Sequence, residues 1–453
     1  MGNSLKRLSS CLAITWLALG SVCVSSASAQ TSGTWLGAGG MWSDPNLWTS
    51  KPQFPSNGGE ATFISQINST ITGTITLDTS VQLSRLITSN TRYMQLIEPV
   101  NGHMLEFVGP AEVRVDDPLI WIGGFFWPRP GFWLKGGVSG NAGLTKTGAG
   151  EIALSETNSF TGGLRINGGT VFARHDTSLG AANESITING GTLSSFSNPI
   201  PLDTSRTIHI GANGGTFHSY ASAPVFRGDM TGDSTATFQS TLLVENTSIA
   251  FRVLGDQSFT GDVRVFTRAD SVTSTGTLAE AGAWRHARSL QIVGRLAIDN
   301  STSANSDRLS DGTVTIGNGT MLVTGNTATA INEHAGPLVA DGFGHLAIGT
   351  AGAQPVNLTF SRLETRRGGA ISVGTLNGGS TIRFDQAPTL IGSGTHGITS
   401  APIAPGLSVT TLHTYDGGVG VRRLNSNEYL TTLPSGASTA NERTHWRPQR
   451  LHR

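Results

Sequence analysis

The sequence predicts an all-β protein built as a parallel β-helix (β-solenoid), and three observations carry that prediction. Glycine supplies 59 of the 453 residues, and only 13% are charged, whereas an average chain has about 7% glycine and about 25% charged residues. Short apolar runs alternate with polar residues, as strands do. An Asn-Gly-Gly turn also recurs at nearly constant spacing, which indicates a structural repeat.

The alternation is clear early in the chain. In residues 69–88, Ile71, Ile75 and Leu77 fall on one parity, and Val81 and Leu83 continue the pattern. This period of two is typical of half-buried strands. Residues 278–290 are the one stretch whose pattern is compatible with a helix, and Gly282 argues against it.

The recurring turn appears as INGGTV at 166–171, INGGTL at 188–193 and IGANGGTF at 210–217. We expect each Ile to point inward, the Asn or Gly to take positive φ at a corner, and the Thr to begin the next strand. Coils about 4.8 Å apart would make residues 61–400 a rod of ~15 coils, roughly 70 Å long.

A longer repeat supports stacking, although one alternative stays open. Residues 158–171, NSFTGGLRINGGTV, return in weaker form as QSFTGDVRVFTRAD at 257–270. Units of this size bury a continuous core only when stacked on copies of themselves. Asn-Gly is equally a hairpin turn, so antiparallel sandwiches are the competing architecture.

The first 29 residues have the features of a secretory signal peptide. Lys6 and Arg7 precede an apolar run at 11–24, which is followed by an Ala-x-Ala cleavage pattern ending at Ala29. The run is shorter than the ~20 residues of a membrane-spanning helix, and we expect no such helix in the mature chain. The only cysteines, Cys11 and Cys23, lie in this peptide, so the mature fold needs no disulfides.

Aromatic residues mark two further segments. Trp42, Ser43 and Trp48 in residues 30–60 predict an N-terminal cap that covers the first coil. Residues 120–134, IWIGGFFWPRPGFWL, contain six aromatic side chains. They fit stacking between coils better than a sugar-binding platform.

Candidate catalytic and metal-binding patterns are weak. Asp116 and Asp117 are adjacent, so on a strand they face opposite sides. The RHD triplet at 174–176 fits a corner, and GDMTGDS at 228–234 lacks the distal Glu of a calcium loop. The GDS within it lacks a nucleophile elbow. We therefore predict no catalytic, cofactor-binding or metal-binding residues, no cofactor and no enzyme activity.

Residues 143–171, GLTKTGAGEIALSETNSFTGGLRINGGTV, resemble the autotransporter-associated β-strand repeat family. The family positions are occupied here by Gly143, Lys146, Gly148, Gly150, Asn158, Phe160, Thr161, Gly162, Gly163, Gly169 and Thr170. The resemblance implies a right-handed parallel β-helix, exported by a bacterium with an outer membrane and used as a surface passenger. The final residues, NERTHWRPQRLHR at 441–453, depart from the translocator barrel that ends an autotransporter.

These observations predict a signal peptide at 1–29, a cap at 30–60, a solenoid at 61–400 with its best repeat at 143–171, and an irregular, partly disordered C-terminal tail at 401–453. We expect an exported structural or adhesive protein, secreted or at the cell surface, with extracellular polysaccharide or cell-surface material as its partner. The zero net charge gives no reason to expect nucleic acid. The alternatives are a β-helical polysaccharide lyase or hydrolase, and a truncated autotransporter remnant.

Overall fold

A computed structural model provides the structure. It describes residues 29–64, 73–89, 95–116, 132–195, 202–220, 222–240, 249–267, 274–349, 354–391, 403–407 and 412–428. The signal-peptide prediction for 1–29 therefore lies, except for Ala29, outside the described residues. So does the aromatic segment up to residue 131.

Short strands make up most of the fold. The first twelve are β1 Gly33–Trp35, β2 Gly40–Met41, β3 Gly59–Ile64, β4 Gly73–Leu77, β5 Val81–Ser89, β6 Gln95–Pro99, β7 Leu105–Val115, β8 Phe132–Lys135, β9 Val138–Gly140, β10 Leu144–Thr147, β11 Glu151–Ser155 and β12 Leu164–Ile166. The next twelve are β13 Thr170–Ala173, β14 Ile186–Ile188, β15 Thr192–Ser195, β16 Asp203–Thr204, β17 Ile208–Ile210, β18 Gly215–Ser219, β19 Val225–Phe226, β20 Met230–Thr231, β21 Thr235–Ser240, β22 Ile249–Val253, β23 Asp262–Phe266 and β24 Thr275–Leu278.

The remaining strands are β25 Ser289–Val293, β26 Arg295–Asp299, β27 Thr313–Ile316, β28 Thr320–Thr324, β29 Ile331–Ala335, β30 Leu338–Gly349, β31 Val356–Phe360, β32 Leu363–Val373, β33 Thr381–Phe384, β34 His413–Asp416 and β35 Gly420–Arg423. The described residues contain no α-helix. Their helical turns are the 3₁₀ segments Pro45–Leu47, Asp176–Leu179, Pro405–Leu407 and Ser426–Glu428. Residues 279–288, within the stretch compatible with a helix, form turns between β24 and β25.

The strands stack as parallel ladders, so the β-solenoid prediction is confirmed. Fourteen strands, β2, β4, β6, β8, β11, β13, β15, β18, β21, β23, β25, β27, β30 and β32, pair successively in parallel. A second ladder runs from β1 to β20, and a third from β16 through β22 and β28 to β32. Among the named, described strands, β34–β35 is the one antiparallel pair, which argues against the sandwich alternative.

The described residues make about twelve solenoid turns, fewer than the ~15 coils expected for residues 61–400 from the spacing of the repeated turn. The expectation used the 22-residue spacing seen at Ile166↔Ile188, which the register reproduces. Other coils are longer: the register step is 27 residues at Thr237↔Arg264 and 37 residues at Gln95↔Phe132. Longer coils consume more chain per step, so fewer fit.

The core is a continuous apolar column inside the coils. Ile166, Ile188 and Ile210 pair in register, and each is at most 1% exposed. This is the inward stacking predicted for the residue before each turn. Burial of each such side chain contributes roughly 1.5–3 kcal/mol relative to exposure, so the column supplies stability that other exported proteins obtain from disulfides.

Glycine, one of the two residue types expected, provides the positive φ at these corners. Gly169, Gly190 and Gly214 have φ of 62°, 91° and 76°, whereas the asparagines of the three turns are not in that region. A side chain at Gly169 would place its Cβ 2.1 Å from the carbonyl oxygen of Gly150 in the preceding coil. The corner therefore requires glycine for close packing as well as for φ.

The two longer repeat copies are not structurally equivalent throughout. Leu164–Ile166 pairs with β10 and β14 in one sheet, whereas Asp262–Phe266 pairs with β21 and β25 in another. The two copies therefore join different sheets, although their sequences match.

The segment predicted to be an N-terminal cap packs its tryptophans and pairs with β1. Trp42 and Trp48 are at most 1% exposed and pack with ring centroids 4.8 Å apart. The segment around Trp48 returns antiparallel to β1, with Leu36 N donating to Leu47 O and Thr49 N donating to Thr34 O. Outer strand edges are aggregation-prone when unpaired, and this return segment pairs the edge of β1.

The described part of 401–453 packs against the C-terminal end. The Tyr415 hydroxyl donates to the Phe384 carbonyl over 2.9 Å, and the Arg383 guanidinium donates to Gly417 and Gly418 carbonyls. Arg422 forms a bidentate pair with buried Glu428, both distances 2.7 Å. The β34–β35 hairpin therefore contacts β33, the last strand of its ladder.

Candidate functional surface

Buried cations hold neighbouring coils together, and Lys146 of the best repeat is the first example. Its ammonium donates to the carbonyls of Thr147, Gly148 and Gly168, at 2.6, 3.0 and 3.1 Å. Burial lowers the pKa of Lys146 to about 8 and raises the pKa of nearby Glu151. The lysine of the repeat therefore satisfies carbonyls at the glycine corner, a structural role.

Arg206 and Arg308 perform the same task at two other corners. Arg206, 3% exposed, donates to Asp176 and to the carbonyls of Gly180, Ala181, Asp176 and Glu184. Arg308, fully buried, donates to the Asn300 side chain and to carbonyls of Glu280, Gly282, Asp299 and Ser303. Sequence reasoning missed both, because no local pattern distinguishes a buried arginine from a surface one.

Buried amides complete this set of inter-coil contacts. Asn158 accepts from Val138 N and donates to Ser178 O, which links three consecutive coils. Gln257, its counterpart in the second repeat copy, accepts from Met230 N and donates to Gly228 O. The repeat position before Ser-Phe-Thr-Gly is thus occupied by an amide because it needs a donor and an acceptor at once.

The described acidic residues of the candidate patterns form hydrogen bonds within the fold. Asp116 accepts from Arg114 over 2.6 Å, and Asp117 lies outside the described residues. Asp176 pairs with Arg206, while His175 accepts or donates within its own 3₁₀ turn. Asp229 of the 228–234 segment accepts from both the backbone N and the hydroxyl of Ser258, at 2.7 and 2.6 Å.

Among the described residues there is no group of three or more His, Cys, Asp and Glu side chains that could hold a metal ion. Within the same part of the chain, none of the helical segments has the length and apolar character required to cross a membrane.

Hydroxyl and amide rows occupy outward positions instead. Thr170, Thr192, Thr216 and Thr237 pair in register along four consecutive strands. On β29, β31 and β33, a hydrogen-bonded row runs from Asn332 through Asn357 to Thr381, with distances of 2.8 and 2.9 Å.

Two neighbouring side chains on β29 titrate abnormally. Glu333 points inward, where burial raises its pKa to about 7, although its Oε1 accepts from Arg308 N and Leu309 N. His334 points outward between two carboxylates, 3.2 Å from Asp311 and 3.1 Å from Asp385. Those partners, Asp385 first, raise the pKa of His334.

Only the end of the aromatic segment is described. Phe132 is buried in the main core, and the Trp133 indole donates to the Ser155 hydroxyl over 2.6 Å. Trp133 packs against a second, smaller apolar cluster containing Ala153, Phe172 and Tyr220. These two residues have structural contacts, and the sugar-platform alternative for residues 120–131 stays untested.

The described residues form a parallel β-solenoid with polar outer rows and inter-coil contacts at its corners. Residues 144–171 match the family model described as passenger-associated-transport-repeat, which confirms the resemblance at that segment. The chain is also 33% identical over 137 residues to the Adhesin BmaC autotransporter of Brucella suis biovar 1 (strain 1330). That stretch covers 30% of this chain and 4% of the adhesin. No solved structure matches the chain.

Proposed function

We propose that this protein is an exported, passenger-like solenoid that acts in adhesion at the bacterial surface and has no catalytic activity. The observation that carries the proposal is the similarity to an autotransporter adhesin on a chain that folds as a parallel β-solenoid. Asp116, Asp176 and Asp229 are engaged in hydrogen bonds within the fold, which supports a binding role over hydrolysis at these residues, since glycoside cleavage requires two available carboxyl groups.

The proposed partner is extracellular polysaccharide or other cell-surface material. Polar rows such as Asn332, Asn357 and Thr381 present donors and acceptors at the strand spacing of about 4.8 Å. Hydroxyl-rich polymers offer complementary groups. A rigid, repeating surface also loses little conformational entropy on binding.

Fractionation of the producing bacterium tests export. The full chain should appear in the outer-membrane fraction or the medium and should begin at Gln30. An Ala29→Asp variant should keep its leader and remain with the cells, because the cleavage site requires small residues. A folded, unprocessed wild-type chain in the cytoplasm would refute the export proposal.

Adhesion is tested separately. Bacteria that make the wild-type chain should attach to polysaccharide-coated surfaces more than a strain without it, and beads coated with folded protein should attach more than beads coated with unfolded protein. Equal attachment in both comparisons would remove the adhesive role. Release of reducing sugar ends from the same polysaccharides would instead support the enzyme alternative.

A further inference from the structure

One outer corner of the solenoid presents an aromatic ring beside cationic side chains. Phe343 is 69% exposed, and it lies where β30 bends between two ladders. The register of β30 with β32 shifts here, from Asp341↔Arg366 to Phe343↔Ala370. We name this feature the Phe343 corner and define it by Asn318, Phe343, Arg366 and Arg367.

The backbone holds this ring outward by strained conformations. Asn318 has φ of 53°, and its side chain accepts a 3.0 Å hydrogen bond from Phe343 N. Arg367 has φ of 52°, and Gly342 has φ of 112°. This conformation costs Arg367 about 1–2 kcal/mol, whereas glycine and asparagine adopt it more readily. Strain of this kind concentrates at functional sites, where the surrounding structure maintains it.

Two exposed arginine side chains give the corner accessible positive charge. The Arg367 side chain is 87% exposed, and its Nε lies 3.9 Å from Asp341 Oδ1. The Arg366 side chain is 56% exposed and lies 3.8 Å from Glu364. Both separations are long for hydrogen-bonded ion pairs, so each guanidinium keeps donors available for an external carboxylate.

A similar pair lies farther along the same ladder. On β23, Arg264 and Phe266 are exposed and, two residues apart, share one face. The ladder passes from β23 through β25 and β27 to β30. Along the solenoid axis, Phe343 on β30 lies three steps from β23 and Arg367 on β32 lies four steps from it, which corresponds to about 14 Å and about 19 Å. This span suits an extended polymer.

We propose that the Phe343 corner, extended by Arg264 and Phe266, binds an acidic polysaccharide of the uronic-acid class. The apolar face of a pyranose ring stacks on Phe343, and its carboxylate accepts hydrogen bonds from Arg367. The adjacent sugars continue along the ladder toward Phe266. The proposal rests on the proposed adhesive function and assigns it a ligand class.

Binding of polygalacturonate by the full mature chain tests this site, with fully methyl-esterified polygalacturonate as the matched uncharged probe. We expect the acid form to bind and the ester to bind at least about tenfold more weakly. Binding of the acid form should weaken as ionic strength rises from about 0.05 M to about 0.5 M. Equal affinity for the two polymers would overturn the proposal.

Substitutions locate the site. Phe343→Ala and Arg367→Asn should each reduce affinity about tenfold, and asparagine tolerates the positive φ at 367. Val419→Ala, at another exposed apolar residue, and Arg165→Gln, at another exposed arginine, are the matched controls. Binding by Phe343→Ala and Arg367→Asn at wild-type affinity would refute the site.

The adhesion assay separates this proposal from the broader one. If bacteria with Phe343→Ala attach like wild type, adhesion stands and the corner is not its site. If no wild-type cells attach to any surface while the purified chain binds polygalacturonate, the corner stands and the adhesive role fails.

Discussion

Glu333 makes the stability of the C-terminal coils depend on pH. Burial raises its pKa from 4.5 to about 7, so the folded state favours the protonated carboxyl. The stabilisation is fully present below pH 4.5, declines as pH rises, and is lost above about pH 7. A difference of about 2.5 pKa units corresponds to about 3 kcal/mol. Glu333→Gln keeps an acceptor for Arg308 N and Leu309 N and removes this dependence.

The pH dependence of local stability can be measured by hydrogen exchange at the Arg308 and Leu309 amides, at about pH 5 and about pH 8. The exchange rates are corrected for the intrinsic effect of pH. Wild type should lose protection at the higher pH, whereas Glu333→Gln should retain it. The raised pKa of His334 acts in the same direction, so a His334→Asn control in both backgrounds isolates the Glu333 contribution. If Glu333→Gln shows the same pH dependence as wild type, the reasoning about this buried carboxyl is wrong.

Two further substitutions test the corner contacts. Lys146→Met removes hydrogen bonds to three carbonyls and should destabilise the repeat by about 2 kcal/mol in denaturant unfolding. The control Lys135→Met loses one exposed ion pair with Glu98 and should lower the free energy of unfolding by less than about 1 kcal/mol. Equal losses of unfolding free energy in the two variants would contradict the role of Lys146. Gly169→Ala should cost at least about 3 kcal/mol from its steric clash and positive φ. In contrast, Gly102 has open space around it, so Gly102→Ala should lower stability by only about 1–2 kcal/mol. Comparable denaturant midpoints for the two alanine variants would contradict the close packing at Gly169.

The sequence predicted the stacking because it is encoded locally and repeatedly. Ile166 and Ile188 both point inward and precede the same Asn-Gly-Gly turn. Because the turn recurs at a constant spacing, the sequence also predicts that the two residues pair in register. Coil number was overestimated because coil length varies where no motif recurs. The sheet that receives Val263 could not be read from the sequence, because the apolar alternation of a strand is the same whichever sheet it joins.

The charged interior was beyond sequence reasoning. Arg206 and Arg308 occupy corners where carbonyls of a loop far along the chain converge, and that convergence exists only after the coils stack. The Phe343 corner is similar, since its exposure depends on a bend in β30. Lys146 is the exception: the repeat resemblance included it, although its carbonyl partners became evident only in the structure.

Distances along one ladder test the central claim, the parallel stacking of coils, most directly. Thr170, Gln291 and Thr315 share an outward column, and the chain after residue 29 contains no cysteine, so paired cysteine variants accept spin labels cleanly. The account predicts about 24 Å for Thr170–Gln291 and about 29 Å for Thr170–Thr315, a gain of one 4.8 Å coil step. Distances that do not increase from the first pair to the second would contradict the solenoid.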